Sequence, residues 1–281
     1  MPVGLRKAEL LIVGANSRIG RLLQPVLAGA PVVASSRTGR VRGGALPAFA
    51  WSPLDGPEAL LRQVDAGGAP RAMLVLAGTT PSTGTDMTLN VALARACTAA
   101  AREAGIRRVL LASSSAVYGA GRAVPWSEDD ACAPRGGYGQ AKLEAERATA
   151  GPGVCALRIG NVAGADALLT NPARPLILDR FDDGGTPMRS YIGPASLARV
   201  FRALAVAPAL PPVLNIGAPT PVSMDALARA ADLPVTLREA PPTAIQHLVL
   251  DCTRLESLVP FDHSESTPEA LVAQWRACKE D

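Results

Sequence analysis

The sequence predicts an α/β fold: a doubly wound parallel sheet covered by helices, followed by a smaller C-terminal subdomain. Short apolar runs alternate with helix-like stretches through the first half of the chain, which is typical of parallel strands joined by crossover helices. The alternation loosens after Arg158, where prolines become frequent. A length of 281 residues also exceeds that of a usual single domain, about 100 to 200 residues, so a main domain with an appendage is expected.

The first half supplies the predicted main sheet. Apolar runs bounded by Gly, Pro or polar residues predict strands at residues 8–13, 32–35, 72–77, 108–112 and 154–158, with a weaker strand at 48–51. The clearest helix covers about 86–104 and stops at Gly105, a residue suited to the left-handed position that ends a helix.

The second half predicts fewer elements. We expect a strand at Val213–Ile216, a helix at 223–231, a strand at 235–237 and a C-terminal helix at 268–278. Residues 1–160 are therefore expected to form the main domain and residues 161–281 the smaller subdomain. The strand near 213–216 is expected to return to the main sheet.

Composition excludes several classes of protein. The net charge of +3 is small, and no run of Lys or Arg interleaves with aromatic residues, so nucleic-acid binding is not expected. The apolar run at 10–13 is too short for a membrane span, and the stretch at 203–214 is broken by prolines. Five widely spaced cysteines and two histidines predict reduced thiols, with no metal site, in a cytoplasmic protein.

The segment GANSRIG, residues 14–20, directly follows the first predicted strand and opens a helix. Glycines at such a turn let backbone N–H groups approach a pyrophosphate at the helix N-terminus, as in a Rossmann-type sheet. An ordinary strand-to-helix turn is the alternative interpretation. The predicted dinucleotide contacts in this loop are Gly14, Asn16, Ser17, Arg18, Ile19 and Gly20.

The choice of dinucleotide follows from an absence in the sequence. Proteins that bind NAD commonly hold the ribose 2′-hydroxyl with an acidic residue after the second strand, but no Asp or Glu lies between Leu10 and Leu54. The segment after the second strand is SSRTGR, residues 35–40, and hydroxyl and guanidinium groups suit a 2′-phosphate. We therefore expect NADP, with NAD as the second choice, bound by Arg37 with support from Ser36.

Two further motifs lie where a reaction centre is expected. SSSAVYG, residues 113–119, follows a predicted strand at the edge of the sheet where ligands bind. In YGQAK, residues 138–142, Tyr138 and Lys142 are four residues apart, so a helix would place both on one face. Alone, this spacing is also compatible with a solvated helix face.

SSSAVYG, YGQAK and LRIGNVAG (residues 157–164), in this order, resemble the extended short-chain dehydrogenases/reductases, the NAD-dependent epimerase/dehydratase group. Residues 89–114 resemble the family's helix and fifth strand, and residues 214–228 its returning strand and helix. The glycine loop is similar to the family's G-x-x-G-x-x-G loop, except that Ser17 replaces the middle glycine. A side chain there could crowd the phosphates, strain a positive φ, or donate to a phosphate.

The resemblance implies roles for individual residues. Tyr138 would be the catalytic acid/base, Lys142 would assist it and bind the nicotinamide ribose, and Ser114 would hydrogen-bond the reacting oxygen. Ser114 is chosen among the three serines because it lies four residues before Tyr118. The resemblance also implies cofactor contacts at Ala77 and Asn90, and substrate contacts at Asn161 and Arg189. A surface arginine is the alternative for Arg189.

Catalysis near neutral pH would require a lowered pKa at Tyr138. A free phenol has a pKa near 10, so a shift of about 3 units, or roughly 4 kcal/mol, is needed. A nearby ammonium and a positive nicotinamide ring would both favour the phenolate. We therefore expect the pKa of this phenol to be depressed.

The resemblance implies an enzyme that moves a hydride between a nicotinamide and a hydroxyl or carbonyl carbon of a sugar or nucleotide sugar. The expected partner is this small molecule, with a homodimer as a further possibility. The altered loop at Ser17 leaves an alternative open: a dinucleotide-binding redox-sensing or scaffold protein with little activity. Ala195 and Ser196 also stand where the family usually has acidic residues.

Overall fold

The computed structural model describes residues 5, 8–81, 86–171 and 174–278; the predicted domain limits at 1 and 281 lie outside these residues. Its strands are β1 Leu10–Val13, β2 Val32–Ser36, β3 Ala48–Ala50, β4 Ala72–Val75, β5 Val109–Ser114, β6 Val154–Ile159, β7 Asn161–Val162, β8 Leu176–Arg180, β9 Met188–Arg189, β10 Tyr191–Ile192, β11 Val213–Ile216, β12 Val222–Ser223, β13 Val235–Glu239 and β14 His247–Leu248.

The helices alternate with these strands. They are α1 Arg18–Leu27, α2 Glu58–Gly67, α3 Leu89–Glu103, α4 Gly137–Thr149, α5 Ala167–Thr170, α6 Pro194–Val206, α7 Met224–Ala230, α8 Thr253–Leu258 and α9 Pro268–Ala277. Short 3-10 helices occur at Pro53–Asp55, Ser115–Val117 and His263–Ser266. Within the described residues, no helix combines the length and apolar character that a membrane span needs.

The main sheet has seven strands in the order β11-β6-β5-β4-β1-β2-β3. Neighbouring strands pair in parallel throughout, for example Leu10 with Val32 on one side and with Ala72 on the other. Strand β11 forms the edge of this sheet, where Leu214 pairs with Leu157 of β6. The predicted α/β fold with a parallel sheet is therefore confirmed.

The central strands are buried on both faces because helices cover both sides of the sheet. Leu10 and Ile12 of β1 belong to a core layer that contains side chains of α1 and α6, such as Leu23 and Phe201. Leu11 and Val13 alternate to the other layer, which contains side chains of α2 and α3. The alternation along β1 thus builds the two hydrophobic layers of the doubly wound fold.

A third apolar cluster lies in the C-terminal part of the chain. It joins short elements that precede and follow the edge strand β11, with α7 packing against α9 and α5. Its largest members include Tyr191 and Trp275. This cluster holds together the part of the chain where the sequence predicted a smaller subdomain.

Several elements differ from their prediction. Helix α3 begins at Leu89 rather than near 86, because the Asp86 carboxylate accepts the backbone N–H of Thr88 at 3.0 Å and forms a turn before the helix. Gly105 has a φ of +70°, as expected for the residue that follows a helix. Helices α5, α6 and α8 and the strands β7, β8, β9, β10, β12 and β14 were not predicted. All five cysteines are free thiols, as expected.

Candidate active site

The glycine loop connects β1 to α1 where two strands approach each other closely. Gly14 has a φ of +90°, and a Cβ there would lie 2.5 Å from the backbone nitrogen of Ala77. A Cβ is likewise excluded at Gly20 in the present geometry, because it would lie 2.5 Å from the carbonyl oxygen of Ala15. Both predicted glycines are therefore required by the fold itself.

Ser17 is the N-cap of helix α1. Its φ is −64°, and its hydroxyl accepts the backbone N–H of Gly20 at 3.1 Å. The suggestion of strain from a positive φ is therefore wrong, because the side chain satisfies a helix N-terminal donor in ordinary geometry. No acidic residue lies in the first turn, so the positive end of this helix suits an anionic group.

The loop after β2 is tied to the glycine loop. The Asn16 amide donates to the carbonyl oxygen of Arg40 at 3.0 Å and accepts the backbone N–H of Arg42 at 2.9 Å. The Ser36 hydroxyl donates to the same Arg40 oxygen at 2.8 Å, while Arg37 is exposed. Asn16 and Ser36 thus shape the loop that presents Arg37 beside the glycine turn.

Helix α4 brings the phenol and the ammonium to the carboxyl end of β5. Gly139 allows this approach, since a Cβ there would lie 2.5 Å from the carbonyl oxygen of Ala116. Lys142 Nζ lies 5.8 Å from the ring centre of Tyr138 and donates to the carbonyl oxygen of Ala112 at 2.9 Å. The Ser114 side chain lies close enough to the Tyr138 phenol to lower its pKa. Ser114, Tyr138 and Lys142 therefore meet at one place.

The electrostatics of this triad differ from the sequence-based expectation. Burial raises the pKa of Tyr138, and the nearby Ser114 side chain offsets this increase only in part. Burial also lowers the pKa of Lys142 to about 8, against a smaller opposing effect of the Glu146 charge. The expected depression of the phenol pKa is therefore not produced by these residues alone, because desolvation outweighs the favourable interactions.

A cavity of about 390 Å³ extends from the glycine loop to this triad. Its lining includes the predicted residues Ser17, Arg18, Ile19, Tyr138, Lys142 and Asn161. A helix N-terminus at one end and a half-buried amine with a phenol at the other fit the pyrophosphate and the nicotinamide ribose of a dinucleotide. The residues present thus suit this cofactor.

Other predicted residues do not line the cavity. The Asn90 side chain accepts the backbone N–H of Thr79 at 3.2 Å and donates to its carbonyl and hydroxyl oxygens at 3.1 and 3.0 Å. Thr79 itself lines the cavity, so Asn90 acts on the site through this loop. Ala77 packs against Gly14, and Ser114 reaches the site through Tyr138.

Arg189 is held by backbone carbonyl groups. Its guanidinium donates to Met188 at 2.7 Å and to Gln246 and Ile245 at 2.9 Å each. Burial lowers the pKa of this group, and it forms no ion pair with a carboxylate of the described residues. It does not line the 390 Å³ cavity.

Two parts of the cavity wall were not predicted from the sequence. Gly78, Thr79 and Thr80 follow β4, and their place after a predicted strand was the available signal. Asp166 is buried and accepts backbone N–H groups of Leu168 and Leu169 at 2.8 and 3.1 Å as the N-cap of α5. An aspartate before a short apolar run is the usual sequence signal for such a cap.

Comparisons with known proteins agree with this architecture. A family model described as the NAD dependent epimerase/dehydratase family matches residues 10–187. A comparison with curated proteins found no match.

Solved structures resemble the whole chain. UDP-glucose-4-epimerase from Stenotrophomonas maltophila, with bound NAD and formylated UDP-arabinopyranose, has a TM-score of 0.75 at 18% identity, covering 96% of this chain and 97% of that one. UDP-glucose 4-epimerase from Brucella ovis in complex with NAD has a TM-score of 0.74 at 20% identity, covering 94% and 95%. MoeE5 in complex with UDP-glucuronic acid and NAD has a TM-score of 0.69 at 24% identity, covering 95% and 98%. These likenesses establish a shared fold.

Proposed function

Since this chain belongs to the NAD dependent epimerase/dehydratase family, we propose that it moves a hydride between a nicotinamide and a hydroxyl or carbonyl carbon of a nucleotide sugar. The observation that carries the proposal is the meeting of Ser114, Tyr138 and Lys142 beside the cavity that begins at the glycine loop. A phenol, an amine and a hydroxyl in this arrangement can move one proton and hold one oxygen atom.

Each of the three residues has a defined task. Tyr138 exchanges a proton with the substrate hydroxyl, and Ser114 hydrogen-bonds the phenol and the reacting oxygen. Lys142 donates to the Ala112 carbonyl oxygen, which fixes its ammonium on the same helix face as Tyr138. A bound oxidised nicotinamide supplies the hydride acceptor and a positive charge. Because burial raises the pKa of Tyr138, positive charge near the phenol is needed for it to act as a base near neutral pH.

An anionic substrate is supported by two arginines. Arg189 is half-buried, donates to three backbone carbonyl groups and has no carboxylate partner among the described residues, and Arg18 lines the cavity. Arg189 lies outside the cavity lining, so its contact with a ligand phosphate is a proposal that rests on its lack of a carboxylate partner. The structures of MoeE5 and of the Stenotrophomonas maltophila epimerase contain UDP-sugars, which makes this ligand class the first to test.

The cofactor preference is a separate proposal. We propose NADP rather than NAD, because Arg37 is exposed beside the glycine loop and no acidic residue lies between Leu10 and Leu54. The similar solved structures contain NAD, so both dinucleotides should be titrated. Arg37→Asp should weaken NADP binding about tenfold or more and improve NAD binding. NAD binding tighter than NADP binding by the unchanged protein would refute the preference.

Activity should be measured with purified protein, each dinucleotide, and a panel of UDP-sugars, free sugars and small ketones. Absorbance of the reduced nicotinamide reports net oxidation, and chromatography of the sugar reports epimerisation. Protein that is purified with bound dinucleotide would favour an epimerase, because an epimerase keeps its cofactor through oxidation and reduction. Cofactor binding without turnover of any of these compounds would contradict the proposal.

The remaining proposals concern organisation. We propose that residues 1–160 hold the cofactor and residues 161–281 the substrate, that the protein forms a homodimer, and that it works in the cytoplasm. Sedimentation of the purified protein tests the dimer. The alternative of a scaffold or redox-sensing protein depended on Ser17, which is an ordinary helix N-cap, and we do not propose it.

A further inference from the structure

Glu146 continues the helix face that carries the proposed catalytic pair. Tyr138, Lys142 and Glu146 are spaced by four residues along α4, so they lie on one side of it. Glu146 is only 7% exposed. Its carboxylate accepts the hydroxyl of Ser113 and pairs with Arg158, whose Nη2 lies 2.9 Å from Oε2. A carboxylate this deeply buried is held in one position by its partners.

Strand β5 bonds both the ammonium of Lys142 and the carboxylate of Glu146. The carbonyl oxygen of Ala112 accepts from Lys142 Nζ at 2.9 Å, and the hydroxyl of the next residue, Ser113, donates to Glu146. Two successive residues of one strand therefore bond two successive turns of one helix. This arrangement leaves little freedom in the separation of the ammonium and the carboxylate.

We propose that Glu146 is a positioning residue that keeps Lys142 in its charged form beside Tyr138, with its carboxylate locked one helical turn away by Ser113 and Arg158. This inference rests on the proposed function, because it assigns Lys142 the task of favouring the phenolate. Glu146 does not line the cavity, so it acts through Lys142.

The surroundings of Lys142 contain few competing charges. Burial lowers the pKa of Lys142 to about 8, and Glu146 is the charged group that raises it. From β5, the neutral groups Ala112 and Ser113 face this end of the helix. Packed against α4, helix α3 contributes Asn90, whose side chain lies beside Gly78 and is neutral. Arg158, from β6, faces Glu146 and Tyr118.

The arrangement explains how a half-buried lysine stays charged near neutral pH. With a pKa of about 8, a small further decrease would leave much of Lys142 uncharged at pH 7. Coulomb attraction across one helical turn in a partly desolvated site is large enough to shift a pKa by about one unit or more. Removal of the Glu146 charge should therefore lower the pKa of Lys142, so that the lysine loses its proton at a lower pH.

The sequence makes the experiment direct, since the chain contains three lysines, Lys7, Lys142 and Lys279. Protein labelled with ¹³C at lysine should be titrated by NMR without cofactor or substrate, and Lys142→Arg identifies the signal. We expect Glu146→Gln to lower the pKa of Lys142 by about one unit. Glu144→Gln removes the same charge from an exposed position on the same helix and should leave the signal unchanged.

Glu146→Gln leaves Arg158 without its partner and could fail to fold, so the double variant E146Q/R158Q provides a second measurement. It removes both buried charges, and the pKa of Lys142 should again fall, by less than in Glu146→Gln because the positive charge of Arg158 is lost as well. An unchanged Lys142 pKa in either folded variant overturns the proposal. The titration needs no turnover. The role of Glu146 can therefore be tested even if the protein turns over no nucleotide sugar, and the two failures can be told apart. If the enzyme is active, its activity should fall as the pH rises and Lys142 loses its charge. In Glu146→Gln this fall should begin at a lower pH than in the unchanged protein.

Discussion

Lys142 donates a hydrogen bond to the carbonyl oxygen of Ala112 at 2.9 Å, which ties helix α4 to the carboxyl end of strand β5. This bond fixes the amine on the helix face that also carries Tyr138. It holds the ammonium in a largely desolvated place, which is why burial lowers its pKa to about 8.

The lowered pKa of Lys142 predicts a pH-dependent stability. Between the folded pKa of about 8 and the ordinary value of 10.5, the unfolded chain binds more protons, so the free energy of unfolding rises with pH. As the pH rises across this window, the free energy of unfolding of the wild-type protein should increase by roughly 2 to 3 kcal/mol relative to that of Lys142→Met. Denaturant unfolding of both proteins at several pH values measures the difference. A difference that stays constant with pH would show that Lys142 titrates normally in the folded state.

Gly14 and Gly29 form a matched pair for testing the glycine loop. Both have a positive φ, +90° and +76°, but a Cβ at Gly14 would meet Ala77 at 2.5 Å, whereas nothing lies within 4 Å at Gly29. Gly29→Ala should therefore lose about 1 kcal/mol of stability from backbone strain alone. Gly14→Ala should lose about 3 kcal/mol and bind dinucleotide more weakly. Equal losses of stability in the two variants would contradict the close approach of Gly14 to the backbone of Ala77.

Removal of the hydroxyl should change the free energy of unfolding differently at two fully buried tyrosines. Tyr118 donates to Asn215 at 2.7 Å and accepts from Arg158 at 3.1 Å, so Tyr118→Phe leaves buried groups unpaired and should lose about 1 to 3 kcal/mol. The Tyr191 hydroxyl is buried and makes no hydrogen bond to a described residue. Tyr191→Phe should therefore be neutral or slightly stabilising. Thermal unfolding compares the variants, and a larger loss for Tyr191→Phe would contradict the assignment.

The sheet was predictable because its signals are local. Leu10–Val13 is a short apolar run followed by a glycine turn, and a strand buried on both faces needs such a run. Helix α6 was missed because Gly193 and Pro194 interrupt the pattern, although Pro is common in the first turn of a helix. The two-residue strands of the C-terminal part were missed because they carry too little periodicity. The five-residue strand β8 was missed because its apolar run of three residues directly follows Pro175.

Part of the candidate site was predictable, because the motifs SSSAVYG and YGQAK place their residues at the same edge of the sheet. Tyr138, Lys142 and Ser114 converge as their positions in the sequence suggested. The contacts of Arg189 with Ile245 and Gln246 depend on residues more than fifty positions away and have no local signal. The sequence also carried no sign that burial raises the pKa of Tyr138 in the protein alone, because desolvation depends on the packed environment.

The most direct test of the account is a comparison of Tyr138→Phe with the unchanged enzyme, using a nucleotide sugar that is turned over. The variant should lose about 10²- to 10⁴-fold in kcat, because the proton can no longer be transferred at the phenol oxygen. Its dinucleotide Kd should stay nearly the same, because the glycine loop and Lys142 remain in place. Equal turnover by the variant would contradict the central claim that Tyr138 is the acid/base of this site.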